Sequence, residues 1–151
     1  MGIDQDIHQS KFRNEYQKAS VNLLYTYGWI TERTKELFAA EDITPQQFNI
    51  LRILRGSHPQ PLSTLQIRER MLDKMSDTSR IVDRLIAKGL VKKGTCKSDR
   101  RLVDVMITDK GRKVLDRLDE RQDELDNIIS NLSAKEAATL SDLLDKLRGS
   151  K

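Results

Sequence analysis

The 151-residue sequence has little cysteine, proline or glycine and no long apolar run. Its one cysteine, Cys96, excludes an internal disulfide, and its three prolines and seven glycines are too few for a disordered or fibrous chain. No apolar stretch approaches the roughly 20 residues that cross a bilayer, and the polar residues 1–13 lack the apolar core of a signal peptide. We therefore expect one folded, mainly helical domain in the cytoplasm.

Patterns that carry catalysis or metal binding are also absent. The sequence contains no nucleophile–base pair, no glycine-rich phosphate loop and no paired-carboxylate motif. His8 and His58 stand alone, and no group of cysteines and histidines has the spacing of metal ligands. We therefore expect a protein that is not an enzyme and that uses neither a metal nor another cofactor.

Positive charge is concentrated in the middle of the chain. Residues 63–113 contain 14 lysines and arginines against 7 acidic residues, whereas the rest of the chain contains 13 against 16. A basic segment between acidic flanks is typical of a surface that faces phosphate groups, because neutralising phosphates releases counterions. A cluster of solvated side chains gives the same count, so charge alone leaves both interpretations open.

Apolar spacing and helix-start signals predict six helices. The first extends over residues 7–38, where apolar side chains recur at helical intervals. Three later helices begin with a capping box, in which a serine or threonine precedes a glutamine or glutamate by three residues. The predicted helices start near Ile7, Thr44, Ser63, Met75, Thr108 and Ser133.

The fourth helix has two distinct faces and ends at Ala87, since Gly89 suits the left-handed residue that follows a helix. The inward stripe is expected to contain Met75, Thr78, Ile81, Val82 and Leu85. The outward face is expected to contain Ser76, Asp77, Ser79, Arg80, Asp83 and Arg84. Two strand-like segments follow, residues 90–93 and 102–107, separated by the basic tip 94–101. This order predicts a winged helix-turn-helix, a mainly α fold with a small β-hairpin wing.

A helix with a short polar face can approach base edges in the major groove of DNA. We therefore predict that DNA contacts come from Ser76, Thr78, Ser79, Arg80 and Arg84. Asp77 stabilises the first turn of the helix or pairs with Arg80 in the simpler interpretation, and accepts a hydrogen bond from cytosine in the other.

Three segments of the chain resemble the MarR family of transcription regulators. They are Thr44 to Leu54, then Ser79 to Leu85 with Lys88 to Val91, and finally Asp99-Arg100-Arg101 followed by Ile107 to Gly111. The turn before the fourth helix departs from the family, which usually has a glycine there, because it consists of Leu72 to Met75.

The resemblance implies a homodimer that binds a pseudo-palindromic operator in double-stranded DNA and acts as a repressor. It implies that Arg101 enters the minor groove, that Asp99 holds its guanidinium group, and that Arg100 lies near phosphate with Lys97 in the same tip. Residues 1–40 and 113–151 would form the helical dimerisation region, and residues 41–112 the winged-helix lobe, of a single domain 1–151. A winged-helix module that binds a protein partner in place of DNA is the alternative.

All seven aromatic residues precede position 49. The simpler interpretation is that they pack the core and the dimer interface. The resemblance suggests in addition that Tyr25 and Trp29 border a cleft for a small aromatic or amphipathic effector that relieves repression.

Overall fold

The structure is a computed structural model that describes residues 2–95 and 103–149. These residues form eight helices and three short strands, so the prediction of a mainly α fold with a small wing is confirmed. The elements are α1 (Ile3–Asp6), α2 (Glu15–Ala39), α3 (Pro45–Ser57), β1 (Leu62–Ser63), α4 (Thr64–Arg70), α5 (Thr78–Ala87), β2 (Val91–Thr95), β3 (Val103–Ile107), α6 (Asp109–Asp119), α7 (Gln122–Ile128) and α8 (Ala134–Leu147).

The described residues contain two helices more than the six that the sequence predicted, because an unpredicted short helix precedes the first one and the predicted fifth helix is divided. The first begins only at Glu15, where the side chain of Asn14 accepts a hydrogen bond from the Gln17 amide at 2.9 Å and caps α2. A separate short helix, α1, precedes it. The predicted fifth helix is divided into α6 and α7 because no apolar side chain lies between Leu118 and Leu125 to pack the intervening turn.

The three predicted capping boxes are confirmed at α3, α4 and α8. In α3, the Thr44 hydroxyl accepts a hydrogen bond from the Gln47 amide, and the Gln47 side chain accepts one from the Thr44 amide, each at 3.1 Å. Ser63 and Ser133 make the corresponding pairs at the other two helices. Each box satisfies backbone donors that a helix leaves unpaired at its start.

The turn between α4 and α5 is held by polar side chains. The Asn49 side chain of α3 accepts a hydrogen bond from the Leu72 amide at 2.8 Å, and the Asp73 carboxylate accepts one from the Met75 amide at 2.9 Å. These contacts explain how the turn forms without the family's glycine. α5 begins at Thr78, where the side chain of Asp77 caps it, so the prediction that Met75 faces inward is wrong, and this side chain is 92% exposed.

The three strands form one antiparallel sheet in the order β1-β3-β2. Val91 lies opposite Ile107 and Thr95 opposite Val103, which confirms the predicted hairpin, while Leu62 of β1 lies opposite Val105. The sequence did not predict β1, because a strand of two residues has no periodicity. The predicted tip residues Cys96, Lys97, Asp99, Arg100 and Arg101 lie outside the described residues.

A single apolar core joins the C-terminal end of α2, the turn after it, α3, α4, α5, α6 and the sheet. It holds α5 by its inner face, where Val82 and Leu85 are buried. The fully buried side chains are Ile50, Leu51, Leu54, Ile67, Leu85, Val105, Leu115 and Leu118. Because the opposite face of α5 takes no part in this core, its polar residues remain exposed.

Apolar side chains remain exposed on α2 and α8. Leu24 and Tyr16 of α2 are 72% and 84% exposed, and Leu143 and Leu147 of α8 are 57% and 65% exposed. No side chain of α8 is buried in the single chain. Exposed apolar surface of this extent on two helices indicates that another surface covers it.

An ion pair fastens the end of α6 to α3. The two terminal nitrogens of Arg55 lie 2.6 and 3.3 Å from the carboxylate oxygens of Asp119. The hydrogen bond from Arg55 lowers the pKa of Asp119, against the smaller opposing effect of burial. A lowered pKa in the folded state means that the ionised carboxylate stabilises the fold.

Replacing Asp119 by asparagine should lower the free energy of unfolding at pH 7 by about 1 kcal/mol, since solvent reaches about a third of each partner's side chain and screens the pair. The contribution is fully present above the unfolded pKa of about 4 and is lost as the pH falls through the lowered folded pKa. Urea unfolding at pH 7 and pH 3 should therefore show a difference between the two proteins that shrinks in acid. Asp123→Asn on α7 is the control, and an equal difference at both pH values would contradict the account.

Candidate nucleic-acid interface

The outward face of α5 is polar and basic. Ser79, Arg80, Asp83 and Arg84 are exposed on it. A helix of ten residues is about 15 Å long, and short polar side chains on its outer face let it approach base edges. The geometry of α5 thus matches that of a recognition helix.

Arg80 lies at the start of this face and is paired only loosely. Its Nε atom is 3.8 Å from a carboxylate oxygen of Asp77, and its side chain is 71% exposed. Asp77 caps α5 by accepting a hydrogen bond from the Arg80 amide at 3.2 Å, as the simpler interpretation of this acid predicts. Because an exposed pair of this kind contributes little, the guanidinium of Arg80 is available to an anionic partner.

Arg84 lies one helical turn further along α5. Within the described residues it makes no ion pair. It borders a cleft of about 300 Å³ between α5 and the start of α3, together with Thr44, Gln46 and Gln47. Arg84 is therefore an exposed cation at the junction of these two helices.

Two of the predicted contact residues place their hydroxyl oxygens inside the protein. The Oγ of Ser76 and the Oγ1 of Thr78 are buried, and neither has a hydrogen-bond partner among the described residues. Thr78 as a whole is only 4% exposed, in agreement with its predicted place in the inward stripe. Of the five candidate contacts between residues 76 and 84, Ser79, Arg80 and Arg84 are thus the ones whose side chains face outward.

Residues of α4 that the sequence interpretation did not select also border α5. Thr64, Leu65 and Arg68 line a second cleft, of about 450 Å³, whose other wall is formed by residues 76–79. Leu65 is 59% exposed and Arg68 is exposed as well. The first helix of a helix-turn-helix crosses the DNA backbone. The basic residues Arg68 and Arg70 in the last turn of α4 were therefore the sequence signal that could have identified this helix as a DNA contact.

The base of the wing lies beside α5. Lys92 and Lys93 are exposed on β2, the strand that leads to the tip. The Lys93 ammonium lies 3.5 Å from the carboxylate of Asp83, so one ion pair joins the strand to the outward face of α5. Lys97, Asp99, Arg100 and Arg101 follow in the tip, which is outside the described residues.

Tyr25 and Trp29 lie one turn apart on α2. Tyr25 is 43% exposed and Trp29 is half-buried. The guanidinium carbon of Arg33 lies 3.9 Å from the centre of the Trp29 ring, and the Arg33 side chain donates a hydrogen bond to the Trp29 carbonyl at 3.2 Å. Neither residue lines the two clefts beside α5.

In the part of the chain that the structure describes, no group of three histidine, cysteine, aspartate or glutamate side chains is placed to hold a metal ion. No helix of residues 2–95 and 103–149 has both the length and the apolar character that crossing a membrane requires.

A basic polar helix presented by a two-helix turn, next to a three-stranded sheet with a hairpin, defines a winged helix-turn-helix protein. The sequence model of the MarR family matches residues 43–103. The multiple antibiotic resistance protein MarR of Salmonella typhimurium is 30% identical over 108 residues, which cover 70% of this chain and 74% of that protein. The chain belongs to the MarR family of transcription regulators.

Two further comparisons extend this result over most of the chain. The transcriptional regulator MhqR of Bacillus subtilis is 28% identical over 131 residues, or 86% of this chain and 89% of that protein. The crystal structure of a mutant MarR from E. coli complexed with operator DNA has a TM-score of 0.81 at 26% identity, and the match covers 91% of this chain and 99% of that chain. These relatives are regulators, which fits the expectation that the chain is not an enzyme.

Proposed function

We propose that this MarR-family regulator binds double-stranded operator DNA as a homodimer in the cytoplasm and represses transcription until a small-molecule effector releases it. The observation that carries the proposal is the outward face of α5, where Ser79, Arg80 and Arg84 project from a helix whose other face is fixed in the core. In the solved complex of the E. coli relative, the same fold is bound to operator DNA.

The DNA contacts divide by the groove that each element reaches. α5 enters the major groove, where Arg80 and Arg84 contact guanine edges or phosphates and Ser79 approaches the base edges. Arg68 of α4 lies where the first helix of the motif meets the backbone. The hairpin carries Lys97, Asp99, Arg100 and Arg101 to the minor groove, whose negative potential attracts the guanidinium group of Arg101.

The dimer is formed by the two regions that flank the winged-helix lobe, residues 1–40 and 113–151. The exposed apolar residues of α2 and α8 support this assignment, because water would otherwise cover Leu24, Tyr27, Leu143 and Leu147. A two-fold dimer places two copies of α5 about one helical turn of DNA apart, so the operator is a pseudo-palindrome.

Binding to a pool of random duplexes at increasing salt tests the DNA proposal. Affinity should fall steeply between 50 and 200 mM salt, by about a thousandfold if six phosphates are neutralised. Absent binding, or binding that does not depend on salt, would contradict it. That result would favour the alternative in which the basic face binds an acidic protein partner.

Tyr25 and Trp29 are the residues that we propose for effector binding. Trp29 is the only tryptophan of the chain, so its fluorescence reports directly on this part of α2. A compound that binds there should change Trp29 fluorescence and weaken operator binding over the same concentration range, because coupling between two sites is reciprocal. Tyr25→Ala should weaken both responses. If no compound in a broad panel of aromatic and amphipathic molecules produces both changes, the assignment of the effector site to Tyr25 and Trp29 is contradicted.

A further inference from the structure

The C-terminal end of α5 is attached to the turn between α2 and α3 by a lysine side chain. The ammonium group of Lys88, the residue after the last helical residue, donates hydrogen bonds to the Asp42 carbonyl and, at 3.3 Å, to the side-chain oxygen of Gln47. It also lies 3.8 Å from the Asp42 carboxylate. Lys88 thus contacts both the turn and the first helical turn of α3.

Stabilising its own helix end does not account for this lysine. A cation at a helix C-terminus ordinarily interacts with the last carbonyl groups of that helix. Here the last carbonyls of α5 have other partners: the Leu90 amide donates to the Leu85 carbonyl at 3.0 Å, and the Gly89 amide donates to the Ile86 carbonyl at 2.9 Å. The carbonyl of Lys88 itself accepts a hydrogen bond from the Lys110 ammonium at 2.9 Å. The Lys88 side chain is therefore directed away from α5 and toward a different element.

The same turn is held from its other side by α6. The Nε and terminal nitrogen of Arg117 each lie 2.6 Å from one carboxylate oxygen of Glu41, whose side chain is only 17% exposed. The turn itself has a defined shape, with Asp42 in the left-handed region at φ 56° and Ile43 buried. Residues 40–44 are thus fixed between α5 and α6 by the cations of Lys88 and Arg117.

We propose that Lys88 and Arg117 are positioning residues for DNA binding, which clamp the turn 40–44 so that the direction of α5 follows the position of α2. The proposal rests on the proposed DNA-binding function. α2 carries both the exposed apolar surface of the dimer region and Tyr25 and Trp29, so a shift of this helix reaches the recognition helix through the turn. Neither cation needs to touch DNA for this role.

A clamp of this kind determines which operators the dimer accepts. Changing the spacing between half-sites by one base pair moves one half-site by about 3.4 Å and rotates it by about 34° around the DNA axis. A dimer whose two α5 helices are held firmly tolerates such a change poorly, whereas a dimer with loosely held helices tolerates it better. Loss of the clamp should therefore reduce discrimination between spacings in addition to lowering affinity.

The test compares operators with the optimal spacing and with one base pair more or less, using fluorescence anisotropy. The wild-type protein should prefer the optimal spacing at least tenfold, and Lys88→Met or Arg117→Met should reduce that preference at least threefold. Lys88→Arg, which keeps the charge and the donors, should retain it. Lys135→Met removes one exposed charge from α8 and is the matched control. An unchanged spacing preference in both methionine variants would overturn the proposal.

Hydrogen exchange on the free protein gives a readout that does not depend on DNA. Lys88→Met should accelerate exchange at the amides of residues 85–90 at least fivefold relative to the wild type and to Lys135→Met. Unchanged exchange would overturn the clamp even if the spacing preference changed. If the wild-type protein bound no duplex, the proposed function would fail, and the exchange rates alone would decide whether the clamp exists.

Discussion

Replacing Gly111 by alanine should destabilise the protein by about 3 kcal/mol, because a β-carbon at this position has no room. It would lie 2.3 Å from the Leu90 carbonyl oxygen and 2.8 Å from the side chain of Ile107. The carbonyl cannot move away freely, since it accepts a hydrogen bond from the Thr108 amide at 3.0 Å. The glycine therefore allows the start of α6 to pack directly on the chain that leaves α5.

Thermal unfolding gives the measurement for Gly111→Ala, with an expected decrease in Tm of roughly 6 to 12 °C for a chain of this size. Gly56→Ala is the matched control. Gly56 lies in α3, where a β-carbon would meet no neighbouring side chain or loop within 4 Å, so alanine there should stabilise the helix by about 0.5 to 1 kcal/mol. A Gly111→Ala protein as stable as the wild type would contradict the close packing of Gly111 against the Leu90 carbonyl.

The double substitution Arg80→Ala with Arg84→Ala should reduce operator affinity by roughly a hundredfold or more. Each arginine that contacts a base edge contributes about 1 to 3 kcal/mol, and each that contacts phosphate adds about one unit to the salt slope. The two side chains lie one turn apart on the exposed face of α5, so both approach the same stretch of duplex. The fold should be unaffected because neither side chain belongs to the core.

Arg148→Ala is the control for this experiment. Arg148 is exposed and pairs with Asp145 three residues earlier, which reproduces the relation of Arg80 to Asp77. Fluorescence anisotropy with a labelled operator should show near wild-type affinity for Arg148→Ala and strong loss for the double variant. If the double variant bound as tightly as the control, α5 would not be the recognition helix.

The sequence was sufficient to predict the parts of the fold that local signals specify. Capping boxes at Thr44, Ser63 and Ser133 indicated three helix starts, and Gly89, at φ 75°, indicated the end of α5. The amide of Gly89 pairs with the Ile86 carbonyl and that of Leu90 with the Leu85 carbonyl, the arrangement that a glycine in this place favours. Each of these features depends on residues only a few positions apart.

Features that depend on contacts between distant residues could not be predicted in this way. The turn before α5 is held by Asn49, which lies 23 residues before the amide of Leu72 that it contacts. Periodicity alone extended α5 back over this turn and placed Met75 inside the protein. The attachment of Lys88 to Asp42 spans 46 positions, and that of Arg117 to Glu41 spans 76. No spacing rule relates residues so far apart.

Only part of the candidate site could be predicted from the sequence, because the rest depends on contacts between distant residues. The outward positions of Ser79, Arg80 and Arg84 follow from helical periodicity, so the sequence located them. The burial of the Thr78 hydroxyl and the approach of Arg68 to α5 depend on how α4 packs against α5, which periodicity does not specify. The roles of these residues toward DNA, and those of the wing tip, are predictions that the experiments above address.

Selection of binding sites from a pool of random duplexes tests the central claim most directly. The account predicts that the wild-type protein enriches a pseudo-palindrome whose half-sites lie about 10 base pairs apart, one turn of the double helix. The protein with both Arg80→Ala and Arg84→Ala should enrich no such sequence. Enrichment of the same operator by both proteins, or no enrichment by the wild type, would contradict DNA recognition through α5.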